Sequence, residues 1–195
     1  MFTGMIEKLG ELKNRARHRF TFSFPGDMKA LKIGGSISVN GSCLTVVEIR
    51  RDKGAFEVDL SAETLHRTTL SKIQPGDKVN MELPLEASSL SNRLEGHFVQ
   101  GHVDDISRVL GISRKGNDYI FRFALPAQYR DLVVEKGSIA IEGIGLTPYE
   151  VSRSSFLTSV VPHTYSQTTL QYKRPGAEVN LEFDVLAKYV QANGP

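Results

Sequence analysis

The fold is decided by the stretch Gly34-Gly35-Ser36-Ile37-Ser38-Val39-Asn40-Gly41-Ser42-Cys43-Leu44-Thr45-Val46-Val47-Glu48-Ile49, because the chain contains it twice. The second copy is Lys136-Gly137-Ser138-Ile139-Ala140-Ile141-Glu142-Gly143-Ile144-Gly145-Leu146-Thr147-Pro148-Tyr149-Glu150-Val151. Gly, Ser, Ile, Gly, Leu, Thr and Glu recur in register, and the segment from Thr64 to Glu82 later matches that from Thr164 to Glu182. This register predicts two tandem domains, since repeat stacks use shorter units and at least three of them.

Each half has the pattern of short strands. Ser36–Val39 alternates with period two, Asn40-Gly41 tolerates the positive φ of a tight hairpin, and Leu44–Ile49 forms the next strand. Many short strands of this kind, separated by turn residues, predict a small closed or nearly closed barrel in each half.

Helices are predicted at three places. Ser61 is a helix N-cap, and Pro162 begins the equivalent helix in the second half. A tail helix over 184–191 places Val185, Leu186, Tyr189 and Val190 on one face, and its shortness predicts that it packs on its own barrel or on another subunit.

The predicted domains are 1–90, 91–183 and a tail of 184–195, with the seam in the Ser-rich stretch Leu85–Leu94. The chain has 195 residues, with 24 Lys and Arg against 22 Asp and Glu, and this balance excludes a basic nucleic-acid arm and an acidic tail. A single cysteine excludes an intrachain disulfide framework and a multi-cysteine zinc site. Without a targeting segment or an apolar run of about 20 residues, we expect a cytoplasmic protein with no nucleic-acid or membrane partner.

Polar residues recur in both halves at the predicted strand and helix ends. Gly-x-x-Leu-Thr ends with Thr45 and Thr147, and the helix starts carry Glu63-Thr64 and His163-Thr164. A carboxylate, an imidazole and hydroxyls suit a polyhydroxylated ligand. The alternative is that the threonines are strand formers and the helix-start pairs are caps; recurrence favours the ligand.

Two further side chains have two interpretations each. His102 is a general acid or base or ligand contact, or a partly buried imidazole bonded to backbone. Cys43 is a small buried hydrophobic residue or a functional thiol. His97 and His102 are five residues apart, a spacing that puts them on opposite faces of a strand, so no metal is predicted.

The sequence resembles the riboflavin synthases, a lumazine-binding double-barrel family. The resemblance rests on Met1–Gly4, on Asn40–Val46, on Gly96-His97-Phe98-Val99-Gln100-Gly101-His102-Val103-Asp104, on Pro162–Thr164 and on Asp184–Tyr189. It implies an all-β fold of two tandem six-stranded Greek-key barrels with a carboxy-terminal helix, assembled as a homotrimer. Each active site would form between the first barrel of one subunit and the second barrel of a neighbour.

The resemblance also implies a reaction. Two molecules of 6,7-dimethyl-8-ribityllumazine bind per site, and one donates a four-carbon unit to the other, giving riboflavin and 5-amino-6-ribitylamino-uracil. No cofactor or metal is required, and lumazine synthase is a candidate partner. The rival is a non-catalytic lumazine- or flavin-binding protein on the same fold; the intact run from Gly96 to Asp104 favours the enzyme.

The resemblance assigns candidate site residues. Cys43, His102 and Thr147 are the catalytic candidates, with base and nucleophile unassigned. The first predicted substrate pocket comprises Phe2, Thr3, Gly4, Met5, Ile6, Cys43, Leu44, Thr45, Asp59, Leu60, Ser61, Ala62, Glu63 and Thr64. The second comprises Gly101, His102, Val103, Lys136, Gly145, Leu146, Thr147, Ser159, Val160, Val161, Pro162, His163 and Thr164. Gly145 and Pro148 stand where the family usually has Ser and Val, which removes a hydroxyl and a backbone donor.

Overall fold

The first half is a closed six-stranded barrel in a computed structural model that describes residues 1–85 and 96–193. Its strands are β1 (Lys8–Ala16), β2 (Arg19–Ser23), β3 (Ser36–Val39), β4 (Ser42–Arg50), β5 (Ala55–Asp59) and β6 (Lys78–Glu82). They are antiparallel and follow the order β1-β2-β5-β4-β3-β6 around the barrel. Asn40 and Gly41 connect β3 to β4 at positive φ, which confirms the predicted hairpin.

The second half repeats this arrangement with one strand divided. Its strands are β7 (Asp105–Lys115), β8 (Asp118–Ala124), β9 (Ile139–Ile141), β10 (Ile144–Leu146), β11 (Pro148–Tyr149), β12 (Ser155–Val160) and β13 (Glu178–Phe183). The order β10-β9-β13-β7-β8-β12-β11 is that of the first barrel, with β10 and β11 together in the place of β4. The predicted all-β double barrel is therefore confirmed, although the second sheet has seven strands.

Proline explains where the strand divides. In the first barrel, the Val46 N–H donates to the Gly35 carbonyl at 2.9 Å, and the Val46 carbonyl accepts from Gly34 N–H at 2.8 Å. Pro148 is the equivalent of Val46, and its carbonyl accepts from Lys136 N–H at 2.8 Å. A proline has no N–H, so the hydrogen bond equivalent to that from Val46 N–H to the Gly35 carbonyl is lost.

Within residues 1–85 and 96–193, three α-helices accompany the barrels: α1 (Ala62–Arg67), α2 (Pro162–Gln167) and α3 (Val185–Asn193). Short 3-10 helices span Arg51–Lys53, Thr69–Ser71, Ala127–Leu132 and Thr169–Tyr172. The Ser61 hydroxyl accepts from Thr64 N–H at 3.0 Å, which confirms the predicted N-cap, and Pro162 begins α2 as predicted. In the described part of the chain, no helix combines the length and the apolar character needed to cross a membrane.

Each barrel has its own aromatic core. Phe22 lies opposite Phe56 in the first barrel, and Phe123 lies opposite Phe156 in the second, all four fully buried. Burial of one such side chain stabilises the fold by about 1.5–3 kcal/mol. The two cores are separate clusters, and the predicted domain boundary between residues 90 and 91 lies outside the described residues.

The barrels meet around an approximate twofold axis. Phe2 N–H donates to the Val99 carbonyl at 2.7 Å, and Val99 N–H donates to the Phe2 carbonyl at 3.1 Å. The hairpins also touch there, because a Cβ on Gly41 would lie 2.7 Å from Gly143 N and one on Gly143 would lie 2.7 Å from Gly41 N. Contacts that are reciprocal in this way are what a duplicated chain produces when its halves associate like two identical subunits.

Candidate functional site

A cavity of about 450 Å³, the first cavity, lies where the first barrel meets the segment that precedes the second. It contains two of the three catalytic candidates, Cys43 and His102, together with Glu63 and Thr64 from the start of α1. Its described lining is Ser42, Cys43, Glu63, Thr64, Arg67, Thr68, Gly101, His102, Val103, Asp104 and Tyr129. A thiol, an imidazole, hydroxyls and a carboxylate thus face one space.

The first cavity joins residues that the sequence assigns to different pockets. Gly101, His102 and Val103 are predicted in the pocket of the second half, and in the structure they line the first cavity. The reason is a direct contact between halves, since Cys43 N–H donates to the Gly101 carbonyl at 2.8 Å. Gly101 has φ +79°, and a Cβ there would lie 2.6 Å from the Cys43 Cβ, so only glycine allows this approach.

The amino-terminal segment makes the equivalent contact with the second barrel. Gly4 was predicted beside Cys43, but Gly145 N–H donates to its carbonyl at 2.8 Å, and Ile6 packs against the core of the second barrel. Gly4 has φ +82°, and a Cβ on it would lie 2.7 Å from Gly145 N. The segments Gly4–Ile6 and Gly101–Val103 are therefore exchanged between the halves, and we call them the crossed walls.

Polar groups at the start of α1 are held in place. The Glu63 carboxylate accepts from Arg67 Nε at 2.9 Å, and the pKa of Glu63 is lowered chiefly by this hydrogen bond. The Thr68 hydroxyl donates to the Thr64 carbonyl at 2.7 Å. Glu63 and Thr64 thus belong to the capped start of α1 and also line the first cavity.

The second half differs chemically at the equivalent positions. Gly145 replaces Cys43, His163 replaces Glu63, and Met5 replaces His102 in the repeat register. The half-buried His97 imidazole lies against Gly145, where an added Cβ would be 3.2 Å from Nδ1. Burial lowers the pKa of His97, and the Asp184 carboxylate opposes this effect. The imidazole thus stands beside the position where the family usually has a Ser hydroxyl.

Several predicted site residues have other contacts. Asp59 accepts two hydrogen bonds from Arg19 at 2.8 Å each. Leu60 and Val160 lie in the two barrel cores, and Phe2 lies in a small cluster on the axis. The Thr3 hydroxyl donates to Glu82 Oε1 at 2.7 Å. These side chains shape the fold around the cavities.

The remaining predicted residues divide by exposure. Met5, Thr45, Ser61, Ala62, Lys136, Thr147, Val161, Pro162 and His163 are exposed, Ser159 is exposed and bonded to Asp118, and Leu44 and Leu146 are buried. Thr147 lies between β10 and β11, outside the lining of the first cavity. The structure therefore brings Cys43 and His102 together and leaves Thr147 as the candidate of the second half.

Five residues of the first cavity were not predicted from the sequence: Ser42, Arg67, Thr68, Asp104 and Tyr129. Thr68 recurs as Thr168, a signal that was available. Tyr129 belongs to a 3-10 helix of the second half and has no sequence feature that connects it to Cys43. Within 1–85 and 96–193, the histidine, cysteine and acidic side chains form no group of three or more that could hold a metal ion.

A larger cavity of about 780 Å³ lies between the barrels, away from the catalytic candidates. Thr69 and Thr169 line it symmetrically, as do residues of the loops that follow them. Its lysines are already paired, with Lys72 on Glu178 and Lys173 on Glu142 at 2.8 Å. The Lys72–Glu178 pair joins the barrels, whereas Lys173 and Glu142 both belong to the second barrel. Cys43 and His102 line the first cavity and not this one.

The first cavity, the repeated strand and helix ends and the crossed walls define a ligand-binding protein built on a duplicated barrel, and sequence comparison gives the ligand class. The model of the Lumazine binding domain matches residues 3–84 and again residues 100–184. Riboflavin synthase of Mycobacterium tuberculosis is 41% identical over 98% of this chain and 96% of its own length. That of Bacillus subtilis is 34% identical over 97% of this chain and 88% of its own. The chain belongs to the riboflavin synthase family.

Solved structures agree on the fold. The crystal structure of LumP complexed with 6,7-dimethyl-8-(1'-D-ribityl) lumazine superposes with a TM-score of 0.82, covering 94% of this chain and 99% of that one. Its sequence identity to this chain is 22%, so this similarity concerns the double barrel alone.

Proposed function

We propose that this protein is a riboflavin synthase, which transfers a four-carbon unit between two molecules of 6,7-dimethyl-8-ribityllumazine. The products are riboflavin and 5-amino-6-ribitylamino-uracil, so the enzyme is a transferase. The observation that carries this function is the 34–41% identity to riboflavin synthases along 97–98% of the chain, which includes both barrels.

The duplicated architecture suits this reaction. Two identical substrates call for two similar cavities, and the atoms of two lumazines equal those of the two products, so no cofactor has to supply or remove any. Holding two reactants face to face makes the reaction effectively unimolecular. In the best-oriented cases this lowers the activation barrier by about 7–11 kcal/mol.

The chemistry requires a base and a nucleophile. A base removes a proton from the methyl group at C7 of one lumazine, and a nucleophile adds at C7 of the other. In our proposal His102 takes the proton, since an imidazole accepts and returns protons near neutral pH. Cys43 lines the same cavity and is the candidate nucleophile, with water as the alternative. Thr147 remains the candidate of the second barrel.

Binding of the ribityl chain is assigned to the helix starts. Glu63 and Thr64 line the first cavity, and His163 and Thr164 hold the equivalent positions in the repeat. Carboxylate, imidazole and hydroxyl groups match the donors and acceptors of a polyol. The other predicted residues remain candidates for contacts with the pterin ring, in part through their backbone groups.

We also propose a homotrimer in the cytoplasm. On α3, the side chains of Leu186, Tyr189 and Val190 are 63%, 67% and 73% exposed, although they share one apolar face. Beside them lies a groove lined by Leu132, Val134 and Ala187, among others. Exposed apolar patches of this kind are typical of subunit interfaces. Lumazine synthase, which would supply the substrate, is the proposed protein partner.

The experiment is to incubate the purified protein with 6,7-dimethyl-8-ribityllumazine as the sole organic reactant and to follow riboflavin by absorbance and chromatography. We expect riboflavin to accumulate over many turnovers. Tight binding of a ligand that stays unchanged would contradict the proposal and would favour the non-catalytic lumazine-binding protein.

A further inference from the structure

Two buried glutamates, Glu82 at the end of β6 and Glu182 near the end of β13, occupy equivalent positions in the repeat. Each is only 3% exposed. Glu82 accepts from Thr3 N–H at 2.6 Å and from Gly4 N–H at 3.1 Å. Glu182 accepts from Gln100 N–H at 2.6 Å and from Gly101 N–H at 2.9 Å. Each carboxylate therefore holds two successive backbone N–H groups, one on each oxygen.

The segments held in this way are the starts of the crossed walls. The Gly4 carbonyl accepts from Gly145 of the second barrel, and the Gly101 carbonyl accepts from Cys43 of the first. Glu82, a residue of the first barrel, thus holds the segment that contacts Gly145 of the second barrel. Glu182, a residue of the second barrel, holds a wall of the first cavity.

Burying a carboxylate costs free energy unless hydrogen bonds offset the loss of hydration. Burial raises the pKa of both Glu82 and Glu182, against the hydrogen bonds that lower it. An apolar side chain would avoid the cost but would leave two buried N–H groups without an acceptor. A glutamine has one carbonyl oxygen, so it can satisfy one of the two N–H groups and must turn its own NH₂ toward the other.

We propose that Glu82 and Glu182 are positioning residues that act across the barrel interface, each fixing the cavity wall of the opposite barrel. This inference rests on the proposed function for its relevance to catalysis, because the Gly101–Val103 wall carries His102. It adds that the geometry of each cavity is set by the other barrel. Damage to Glu182 should therefore disturb the first cavity, and damage to Glu82 should disturb the second.

The test compares Glu182→Gln with Glu82→Gln, a matched pair in type, burial and repeat position. Cys43 is the single cysteine of the chain and contacts Gly101, so its alkylation rate by iodoacetamide reports on the wall of the first cavity. In Glu182→Gln we expect this rate to rise by about tenfold, the population shift expected on losing one hydrogen bond to a charged group. In Glu82→Gln the rate should stay near that of the parent protein.

A reciprocal probe completes the design. In a Cys43→Ser, Thr147→Cys background, the new thiol lies two residues after Gly145 in the second barrel. Here Glu82→Gln should raise the alkylation rate, and Glu182→Gln should not. If either glutamine variant fails to fold, Glu→Asp at the same position keeps the charge but has a shorter side chain. Each aspartate variant should raise the alkylation rate of the same thiol as the glutamine variant that it replaces.

Equal changes at both thiols in both variants would show a general structural role and overturn the proposal, as would unchanged rates throughout. Because alkylation is measured without substrate, the result does not depend on riboflavin formation. A protein that makes no riboflavin yet shows the crossed rates would refute the proposed function alone.

Discussion

Asn80 and Asn180 join the two barrels by reciprocal hydrogen bonds. The Asn80 amide donates to the Glu142 carbonyl at 2.9 Å and its oxygen accepts from Thr169 N–H at 2.8 Å. The Asn180 amide donates to the Asn40 carbonyl at 2.8 Å and its oxygen accepts from Thr69 N–H at 2.7 Å. Both asparagines are buried, so each satisfies two backbone groups of the other barrel that water does not reach.

We predict that Asn80→Ala destabilises the protein strongly. The change leaves one N–H and one carbonyl buried without partners, at about 1–3 kcal/mol each, or about 2–6 kcal/mol together. Asn180→Ala removes the same two kinds of bond and should cost a similar amount. Urea unfolding measures both, with Asn117→Ala in the exposed β7–β8 turn as control. Two core variants as stable as the control would show that the asparagines do not join the barrels.

A second prediction concerns the close approach at the first cavity. Gly101→Ala introduces strain at φ +79° and places a Cβ 2.6 Å from the Cys43 Cβ. Gly34→Ala has nearly the same φ, +80°, with nothing within 4 Å of the added Cβ. Strain alone costs about 1–2 kcal/mol, and overpacking adds about 1–3 kcal/mol. Gly101→Ala should therefore be the less stable variant in urea unfolding; equal losses would mean that the contact is unimportant.

A third prediction concerns pH. Burial holds the pKa of His97 below its ordinary value of 6.5. The unfolded chain therefore takes up the proton first as the pH falls, so the stability that His97 contributes is present above pH 6.5 and is lost below it. Relative to His97→Asn, the parent protein should lose stability as the pH falls below 6.5 toward the lowered pKa of folded His97. The exposed His66→Asn variant should follow the parent protein, whereas parallel curves for parent and His97→Asn would refute the burial effect.

A fourth prediction separates catalysis from binding at the first cavity. His102→Gln should lower kcat by about 100- to 10,000-fold, the usual contribution of a positioned acid or base. Riboflavin binding should change little, since the exposed His102 is one of several lining residues. Steady-state kinetics and fluorescence titration measure the two quantities, with His66→Gln as control. A kcat equal to that of the parent protein would place the proton transfer on another group.

The repeat made the double barrel predictable from sequence, because register and turn residues are local features. Asn40-Gly41 predicted the hairpin, and Ser61 and Pro162 predicted two helix starts correctly. At Pro148 the sequence predicted the loss of a backbone hydrogen-bond donor but not the division of one strand into β10 and β11. Strand pairing in the sheet depends on partners far along the chain.

The site was predictable in composition but not in arrangement. An alignment of the halves pairs Gly4 with Gly101 and Cys43 with Gly145, and it suggested that each pocket is built within one half. The structure instead joins Gly101 to Cys43, because the halves associate about a twofold axis and exchange their walls. Asn80, Asn180, Glu82 and Glu182 were visible as repeated residues, but their roles follow from contacts between halves that one sequence does not show.

The proposed function requires that two identical molecules react with each other on the duplicated barrel. Its most direct test is the stoichiometry of the purified protein with 6,7-dimethyl-8-ribityllumazine alone, measured by chromatography of all three compounds over time. We predict that two lumazines disappear for each riboflavin and each 5-amino-6-ribitylamino-uracil that form. Riboflavin formed from a single lumazine with another carbon source, or no riboflavin at all, would contradict it.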